Sequence, residues 1–148
     1  FGNLRSKELL DSIPREIHNM VINSQDDEVE SSNIKNKISF TQGNAFEMPY
    51  KDDTFDMSFT ILVFEQMPHQ FHKAIKEMHR VTRKYCVFIE PFQESNNKLQ
   101  LMYLEKKDYF GFSYKLFNKY GFKPLLYMKN FPQKQKFCTG LYIVEVIK

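Results

Sequence analysis

The sequence predicts an α/β fold: an open, mostly parallel sheet with an antiparallel last strand and helices on both faces. Segments with strand character alternate along the chain with segments of helical period, an order typical of such sheets. In FTQGNAFEMPYKDDTFDMSFT, residues 40–60, neither apolar segment alternates cleanly between polar and apolar side chains, as expected of strands buried on both faces. A short connection joins the last two strands, which indicates an antiparallel pair.

The first half of the chain is predicted to contain three strands and one helix. Residues 7–10 have the pattern of a short strand. Residues 14–25 have that of a helix beginning at Pro14, where the missing N–H of proline costs nothing. Two further apolar strands are predicted over residues 37–43 and 54–64.

The second half of the chain is predicted to contain two helices and three strands. Their order is helix 69–83, strand 84–92, helix 113–122, strand 123–131 and strand 140–148. The first of these helices carries one apolar stripe at helical spacing, formed by Phe71, Ile75, Met78 and Val81. Gly121 marks the end of the second helix, because a left-handed cap favours glycine.

Length and composition predict one domain over residues 1–148, long enough to bury a core. No run of 18 apolar residues exists, so no membrane span is expected. Cys86 and Cys138 are too few for a disulfide scaffold and lie outside any C-x-x-C motif, which favours a reduced, intracellular and cytoplasmic protein. The first residues lack both a Met and the layout of a signal peptide, so we expect that the true start is missing.

Charge is unevenly distributed along the chain. Residues 98–148 carry 10 Lys and 3 acidic side chains, while the remainder has an excess of acids. A basic nucleic-acid-binding surface would use the lysines of this region together with nearby aromatics: Lys106, Lys107, Lys115, Lys119 and Lys123. The absence of Arg from residues 84–148 argues against it, since Arg makes the bidentate phosphate contacts of such surfaces. We therefore interpret these lysines as a solvated surface and expect neither nucleic acid nor a membrane as a partner.

Four segments carry a resemblance to a known family. GNAFEMPYKDDTFDMSF, MHRVTRK, YCVFIEPF and NKYGFKPLLY, in this order, resemble class I S-adenosylmethionine-dependent methyltransferases of the type 11-like group. The matching positions are Phe55-Asp56, then Glu77, Arg80 and Val81, then Gly121-Phe122. The resemblance implies a Rossmann-like sheet, S-adenosyl-L-methionine as the cofactor, and methyl transfer to an acceptor that the sequence does not identify.

The resemblance also implies cofactor-binding residues near the strand ends. Asp11 would accept hydrogen bonds from both ribose hydroxyls, although an Asp that caps the following helix fits the same pattern. Asn44, Ala45 and Phe46 would lie against the adenine, with Asn44 replacing the family's Asp. A Gly-Asn turn without a ligand is the alternative interpretation of that segment.

Further positions are implied on the side of the transferred methyl group. Thr60 and Ile61 would lie beside the methionine moiety, with plain strand packing as the alternative. Gln66 and Glu90 would face the methyl acceptor, although Glu90 could simply be the first polar residue beyond the core. Residues 93–112 would help to form the acceptor pocket or serve as a helix that covers the sheet. No catalytic residue is identified. His69 and His72 lack a third ligand at helical spacing, so no metal site is predicted.

One family feature is missing from the sequence. The Gly-x-Gly-x-Gly loop after the first strand is absent, because the five glycines lie at 2, 43, 111, 121 and 140. We therefore expect the N-terminal part of the domain to be missing or degenerate, and the chain to be a C-terminal fragment. It would function within a longer chain, aggregate when produced alone, and require its missing segment or a protein partner. The alternative is a non-catalytic methyltransferase-like partner or scaffold domain.

Overall fold

The computed structural model describes residues 39–109, 111–131 and 136–148. The strand predicted over residues 7–10 and the helix predicted over residues 14–25 lie outside the described residues. The prediction that the N-terminal part of the domain is missing or degenerate concerns the same part of the chain. Residues 43–148 form one compact unit, and residues 39–42 belong to a separate one. No helix in the described part of the chain is long and apolar enough to cross a membrane.

The sheet has four strands in the described residues: β1 (Phe55–Ile61), β2 (Thr82–Glu90), β3 (Phe122–Phe131) and β4 (Thr139–Val146). Their spatial order is β1-β2-β4-β3. β1 pairs with β2 in parallel, and β4 is antiparallel to both β2 and β3. β1, β2 and β3 therefore run in one direction, and only the last strand of the chain is reversed. The predicted fold, a mostly parallel sheet with an antiparallel last strand, is confirmed.

Two α-helices and three 3-10 helices connect these strands. α1 is Phe71–Val81 and α2 is Lys98–Lys106, while the 3-10 helices are Phe64–Gln66, Gln93–Ser95 and Tyr114–Tyr120. α1 confirms the helix predicted from the apolar stripe. α2 lies within residues 93–112, the segment predicted to help form the acceptor pocket or to cover the sheet as a helix, and it begins with a capping box between Asn97 and Gln100.

The helix predicted over residues 113–122 is present as a 3-10 helix. It ends at Tyr120 and is capped by Gly121, whose φ of 83° is the left-handed conformation expected of a C-terminal cap. A Cβ at this position would lie 2.6 Å from Nε2 of His79 and 3.1 Å from the carbonyl oxygen of Ile147. Glycine is therefore required here for its backbone conformation and for the space around it.

The core is built largely from aromatic side chains on one face of the sheet. α1 contributes its apolar stripe, and the 3-10 helices contribute Phe64 and Phe117. These pack on Phe88 of β2 and Tyr142 of β4, with ring centroids of Phe88 and Phe117 4.7 Å apart. The side chains named here are almost completely buried, so the connections between strands are anchored to the sheet by hydrophobic contact.

Two details of the sequence-based prediction are wrong. The described part of the strand predicted over residues 37–43 is not a strand, and the side chain of Phe40 is 96% exposed. Among the described residues nothing pairs with this segment, and β-propensity without a paired neighbour does not form a strand. The strand predicted over residues 54–64 ends at Ile61 instead, because Leu62 adopts a positive φ of 54° and the chain leaves the sheet.

Candidate functional site

The carboxyl ends of β1 and β2 form the candidate site. The two strands are parallel, and Thr60 and Ile61 of β1 lie beside Phe88 and Ile89 of β2. Their carboxyl ends therefore meet at one edge of the sheet, the edge where ligands bind in open α/β sheets.

Glu90 is the last residue of β2 and is fully buried. Its Oε1 accepts hydrogen bonds from the backbone N–H groups of Val63 (3.1 Å) and Phe64 (3.3 Å). Its Oε2 has no hydrogen-bond partner among the described residues. Burial raises the pKa of Glu90 to about 7, against the smaller opposing effects of the Thr60 hydroxyl and the two backbone N–H groups.

The turn that follows β1 places the next residues over the end of β2. The N–H of Leu62 donates to the carbonyl oxygen of Ile89 at 2.9 Å, and Leu62 itself has the positive φ noted above. A non-glycine residue in this conformation carries strain that the surrounding contacts must offset. Here the contacts are those to Ile89 and Glu90, which fix the short helix Phe64–Gln66 at the carboxyl edge.

Two more buried polar atoms at this edge make no hydrogen bond of standard geometry to the described residues: Oγ1 of Thr60, whose hydroxyl lowers the pKa of Glu90, and Oε2 of Glu65. Glu65 is 8% exposed, and its Oε1 accepts a hydrogen bond from Nε2 of Gln66 at 2.8 Å. Burial raises the pKa of Glu65, and its charge contributes to the raised pKa of Glu90. Because unpaired buried carboxylates are costly, their concentration at one edge indicates a site rather than a packing requirement.

A cleft of about 450 Å³ is lined in part by Glu65, and its size is typical of ligand pockets. Its lining comprises Phe46, Glu65, Gln66, Met67, Pro68, His69, Gln70, Lys107, Asp108 and Tyr109. A second cleft of about 400 Å³ shares His69 and Asp108 with the first and extends along α2 to Phe112. Nε2 of His69 lies 3.0 Å from the carboxylate of Asp108, so this exposed pair lies between the two clefts.

The loop that carries Phe46 is fixed from the side of α1. Oε2 of Glu77 accepts a hydrogen bond from the N–H of Met48 at 2.9 Å. The guanidinium of Arg80 donates to both oxygens of Glu77 and to the carbonyl oxygens of Met48 (3.1 Å) and Tyr50 (2.8 Å). The Arg80 hydrogen bond is the main reason that the pKa of Glu77 is lowered. Glu77 and Arg80, which carried part of the sequence resemblance, therefore hold this loop in place.

The structure places only some of the predicted cofactor-binding residues at the candidate site. Asp11 lies outside the described residues. Oδ1 of Asn44 accepts from the N–H of Phe46 at 3.0 Å, so this side chain takes part in its own turn. Ala45 and Phe46 pack against the core, and Phe46 also lines the first cleft. Thr60 has the buried hydroxyl described above.

The remaining predicted site residues are Ile61, Gln66 and Glu90. Ile61 is 48% exposed. Gln66 lines the same cleft as Phe46, whereas Glu90 is buried beneath the turn after β1. Glu65 was not predicted as a site residue, although a charged residue within the apolar run VFEQM was a signal for it. Among the described residues, no group of three His, Cys, Asp or Glu side chains is placed to hold a metal ion.

Strand order, the single reversed strand and a polar carboxyl edge define an α/β protein with the architecture of class I methyltransferases. A family model described as "Methyltransferase domain" matches residues 6–89, more than half of the chain, and the chain belongs to this family. A demethylmenaquinone methyltransferase of Alkalihalophilus pseudofirmus is 40% identical over 47 residues, covering 32% of this chain and 20% of that protein. The norajmaline N-methyltransferase of Rauvolfia serpentina is 44% identical over 48 residues, covering 32% and 16%. The matched segments thus span a fifth or less of these relatives.

Solved structures support the same fold at low sequence identity. A SAM-dependent methyltransferase from Methanosarcina mazei superposes with a TM-score of 0.60 at 16% identity, covering 74% of this chain and 67% of that one. The [4+2]-cyclase SpnF has a TM-score of 0.60 at 13% identity, covering 78% and 58%. At these identities the likeness concerns the fold alone.

Family and fold imply S-adenosylmethionine as the cofactor. The described residues fit it at the carboxyl edge, where a cleft contains an aromatic wall and a buried carboxylate with an unpaired oxygen. A ligand with hydrogen-bond donors could supply the partner that such an oxygen lacks. The residues that would hold the ribose are outside the described part of the chain.

Proposed function

We propose that the chain is part of an enzyme that transfers a methyl group from S-adenosylmethionine to an acceptor. The observation that carries this proposal is the concentration of buried polar atoms of Thr60, Glu65 and Glu90 at the carboxyl edge, where Glu65 also lines a cleft. When bound, the cofactor supplies an electrophilic sulfonium methyl group. The protein then contributes mainly by holding acceptor and methyl group in line, an effect worth up to roughly 7–11 kcal/mol of barrier.

The residues have distinct roles in this proposal. Asp11 would bind the ribose, and Asn44, Ala45 and Phe46 would form the wall beside the adenine. Thr60 and Ile61 would lie beside the methionine moiety. Gln66 would face the acceptor from the cleft. Glu90, because it is buried beneath the turn after β1, would act by fixing that turn.

The whole chain is proposed to belong to one methyltransferase domain, because the family match at residues 6–89 extends across both compact units. The names of the two curated relatives cite different acceptors and do not identify the acceptor of this chain. Free Cys86 and Cys138 are consistent with a reducing, cytoplasmic compartment.

A non-catalytic role as a partner domain is the second candidate. One structural neighbour belongs to a complex between the Haloferax volcanii Trm112 methyltransferase activator and a methyltransferase, with a TM-score of 0.56 at 13% identity. The observation that favours this candidate is the side chain of Asn44, which replaces an acid and is hydrogen-bonded within its own turn. A partner domain of this kind would not bind the cofactor.

Calorimetric titration of S-adenosylmethionine into the chain, with any sequence that its gene encodes ahead of residue 1, separates the two candidates. The enzyme should bind the cofactor, and Asp11→Ala should weaken binding by about 1–3 kcal/mol because ribose hydroxyls would lose their acceptor. Asp56→Ala is the matched control, since Asp56 is an exposed acid at the amino end of β1, where it pairs with Arg83. Absence of binding in the parent protein would exclude the enzyme. An unchanged affinity in Asp11→Ala would identify Asp11 as a helix cap.

A further inference from the structure

The second cleft continues the first at the point where His69 and Asp108 lie. The two clefts share Pro68, His69, Asp108 and Tyr109. The first cleft is also lined by Gln66, the residue proposed to face the methyl acceptor. An acceptor that reacts near Gln66 can therefore extend past the His69–Asp108 pair into the second cleft.

The second cleft suits an acceptor with an apolar, uncharged body. Much of its lining is hydrophobic and comes from Pro68, Leu101, Leu104 and Phe112. Its acidic side chains are Glu105 and Asp108, and none of the described residues that line it is Lys or Arg. A carboxylate or phosphate group would lack a strongly basic partner there, so the lining favours a neutral acceptor.

His69 is held by Asp108 through one ring nitrogen. Its Nε2 lies 3.0 Å from the Asp108 carboxylate. An ionised carboxylate only accepts hydrogen bonds, so Nε2 carries the proton and Nδ1 of the neutral ring has the lone pair. Nδ1 makes no hydrogen bond to the described residues, and the side chain is 78% exposed. A basic nitrogen is therefore accessible to a molecule in either cleft.

The turn that ends α2 positions Asp108. Its φ of 55° is left-handed, a conformation in which Asp is enriched. Its N–H donates to the carbonyl oxygen of Glu105 at 3.0 Å, and the N–H of Tyr109 donates to that of Leu104 at 2.9 Å. These backbone hydrogen bonds fix the carboxylate at the end of α2, and the carboxylate in turn orients the ring of His69.

A base at this point favours a hydroxyl over an amine as the acceptor. A neutral amine attacks through a lone pair that it already has, whereas a hydroxyl becomes a strong nucleophile only as its proton leaves. We infer that His69 is the general base of the methyl transfer, that Asp108 positions it, and that the acceptor is a neutral hydroxyl compound with an apolar body, such as a phenol. This inference rests on the proposed function and names its substrate class.

The proton and the electrons are accounted for in this step. A lone pair of the acceptor oxygen forms the new O–C bond to the methyl group. The C–S bond breaks and its electron pair stays on sulfur, which leaves S-adenosylhomocysteine as a neutral thioether. The hydroxyl proton moves to Nδ1 of His69, where the Asp108 carboxylate stabilises the imidazolium. Because the ring is exposed, it can pass this proton to water.

Two phenols of different acidity test the role of His69, with methyl transfer from S-adenosylmethionine measured on the chain together with any sequence that its gene encodes ahead of residue 1. At about pH 8, 4-ethylphenol keeps its proton whereas 4-nitrophenol has largely lost it. His69→Ala should lower kcat for 4-ethylphenol by about 100-fold or more. It should lower kcat for 4-nitrophenol by about threefold or less, because an ionised acceptor needs no base.

Chemical rescue separates a base from a structural residue. Imidazole added to the solution should raise kcat of His69→Ala for 4-ethylphenol by at least about tenfold, because it can occupy the space of an exposed ring. His72→Ala is the matched control, since His72 lies in α1 and lines neither cleft. It should keep the kcat of the parent protein and gain nothing from imidazole.

Asp108→Asn tests the positioning residue. An amide can donate to Nε2 and so favour the tautomer without a lone pair on Nδ1, so kcat for 4-ethylphenol should fall by about tenfold or more while KM changes little. The other titratable side chains around His69 are Glu65 and Lys107 in the first cleft, Glu105 in the second and Tyr109 in both. Glu105→Gln is therefore the control for charge, and it should keep kcat within about threefold of the parent value.

The outcomes separate this inference from the proposed function. Failure of the parent protein to bind S-adenosylmethionine would contradict the proposed function itself. A parent that binds it but methylates neither phenol would overturn the inference alone. Equal losses with both phenols in His69→Ala, or a loss that imidazole does not restore, would also overturn it. Thermal unfolding checks that each variant is folded; should His69→Ala not fold, Asp108→Asn decides, since an unchanged kcat would refute the pair.

Discussion

Replacing Glu90 with Gln should make the protein more stable at neutral and alkaline pH. Folding raises the pKa of this carboxyl to about 7 from an ordinary value of 4.5, mainly through burial. At about 1.4 kcal/mol per pKa unit, the difference amounts to roughly 3 kcal/mol. The amide introduced by Glu90→Gln would be uncharged at every pH, and its oxygen could still accept from the N–H groups of Val63 and Phe64.

The direction of the pH dependence follows from the raised pKa. Folding favours the protonated form of Glu90, so its contribution is fully present below about pH 4.5 and is lost as the pH rises through about 7. Between about pH 5 and 8 the parent should therefore lose roughly 2–3 kcal/mol of unfolding free energy from this group, and Glu90→Gln should lose none of it. The two proteins should be nearly equal at the lower pH, with the variant more stable at the higher pH.

Urea unfolding at the two pH values measures this difference, with midpoints compared at a common slope. The charge of Glu65 acts on Glu90 in the folded chain, so Glu65→Gln should lessen the pH dependence in part. Glu47→Gln, at an exposed position, should leave it unchanged. Parallel pH profiles for the parent and Glu90→Gln would refute the reasoning, since a carboxyl buried without a partner at Oε2 cannot titrate like a solvated one.

Two further substitutions test the framework around the site. Gly121→Ala should lower the unfolding free energy by about 1–2 kcal/mol through the left-handed backbone alone. The new methyl group would also crowd His79, so the total loss should be larger. A urea midpoint equal to that of the parent would disprove this prediction. Arg80→Lys should speed hydrogen exchange at the Met48 amide and weaken S-adenosylmethionine binding several-fold, because one ammonium cannot hold Glu77 and the loop carbonyls together. Unchanged exchange and affinity would show that the loop needs no such support.

Hydrophobic patterning predicted most of the described fold. β1, α1, β2 and the final antiparallel pair all form near the positions that the sequence predicts, because each is a segment rich in apolar residues. α1, β2 and the last two strands contribute side chains to the core. The failures have local causes. The segment over residues 39–43 lacks a described partner strand, and the helix before Gly121 is wound as a 3-10 helix. The spacing of apolar residues alone determines neither which strands pair nor whether a helix is an α-helix or a 3-10 helix.

The site was predicted less completely, for a different physical reason. Phe46, Thr60 and Gln66 were identified because they follow strands in the expected order. Glu65 was missed because its significance depends on burial and on an oxygen without a partner. Such properties arise only when the turn at Leu62 folds the following helix back over β2.

The residues that revealed the family are not the residues that would contact the ligand. Glu77 and Arg80 hold the loop that carries Phe46, and Gly121 terminates a helix beside β3. These residues support the backbone around the site. Asn44, at the carboxyl edge, stands where the resemblance implies an acid. A family signature of this kind therefore predicts the fold more securely than the chemistry of the site.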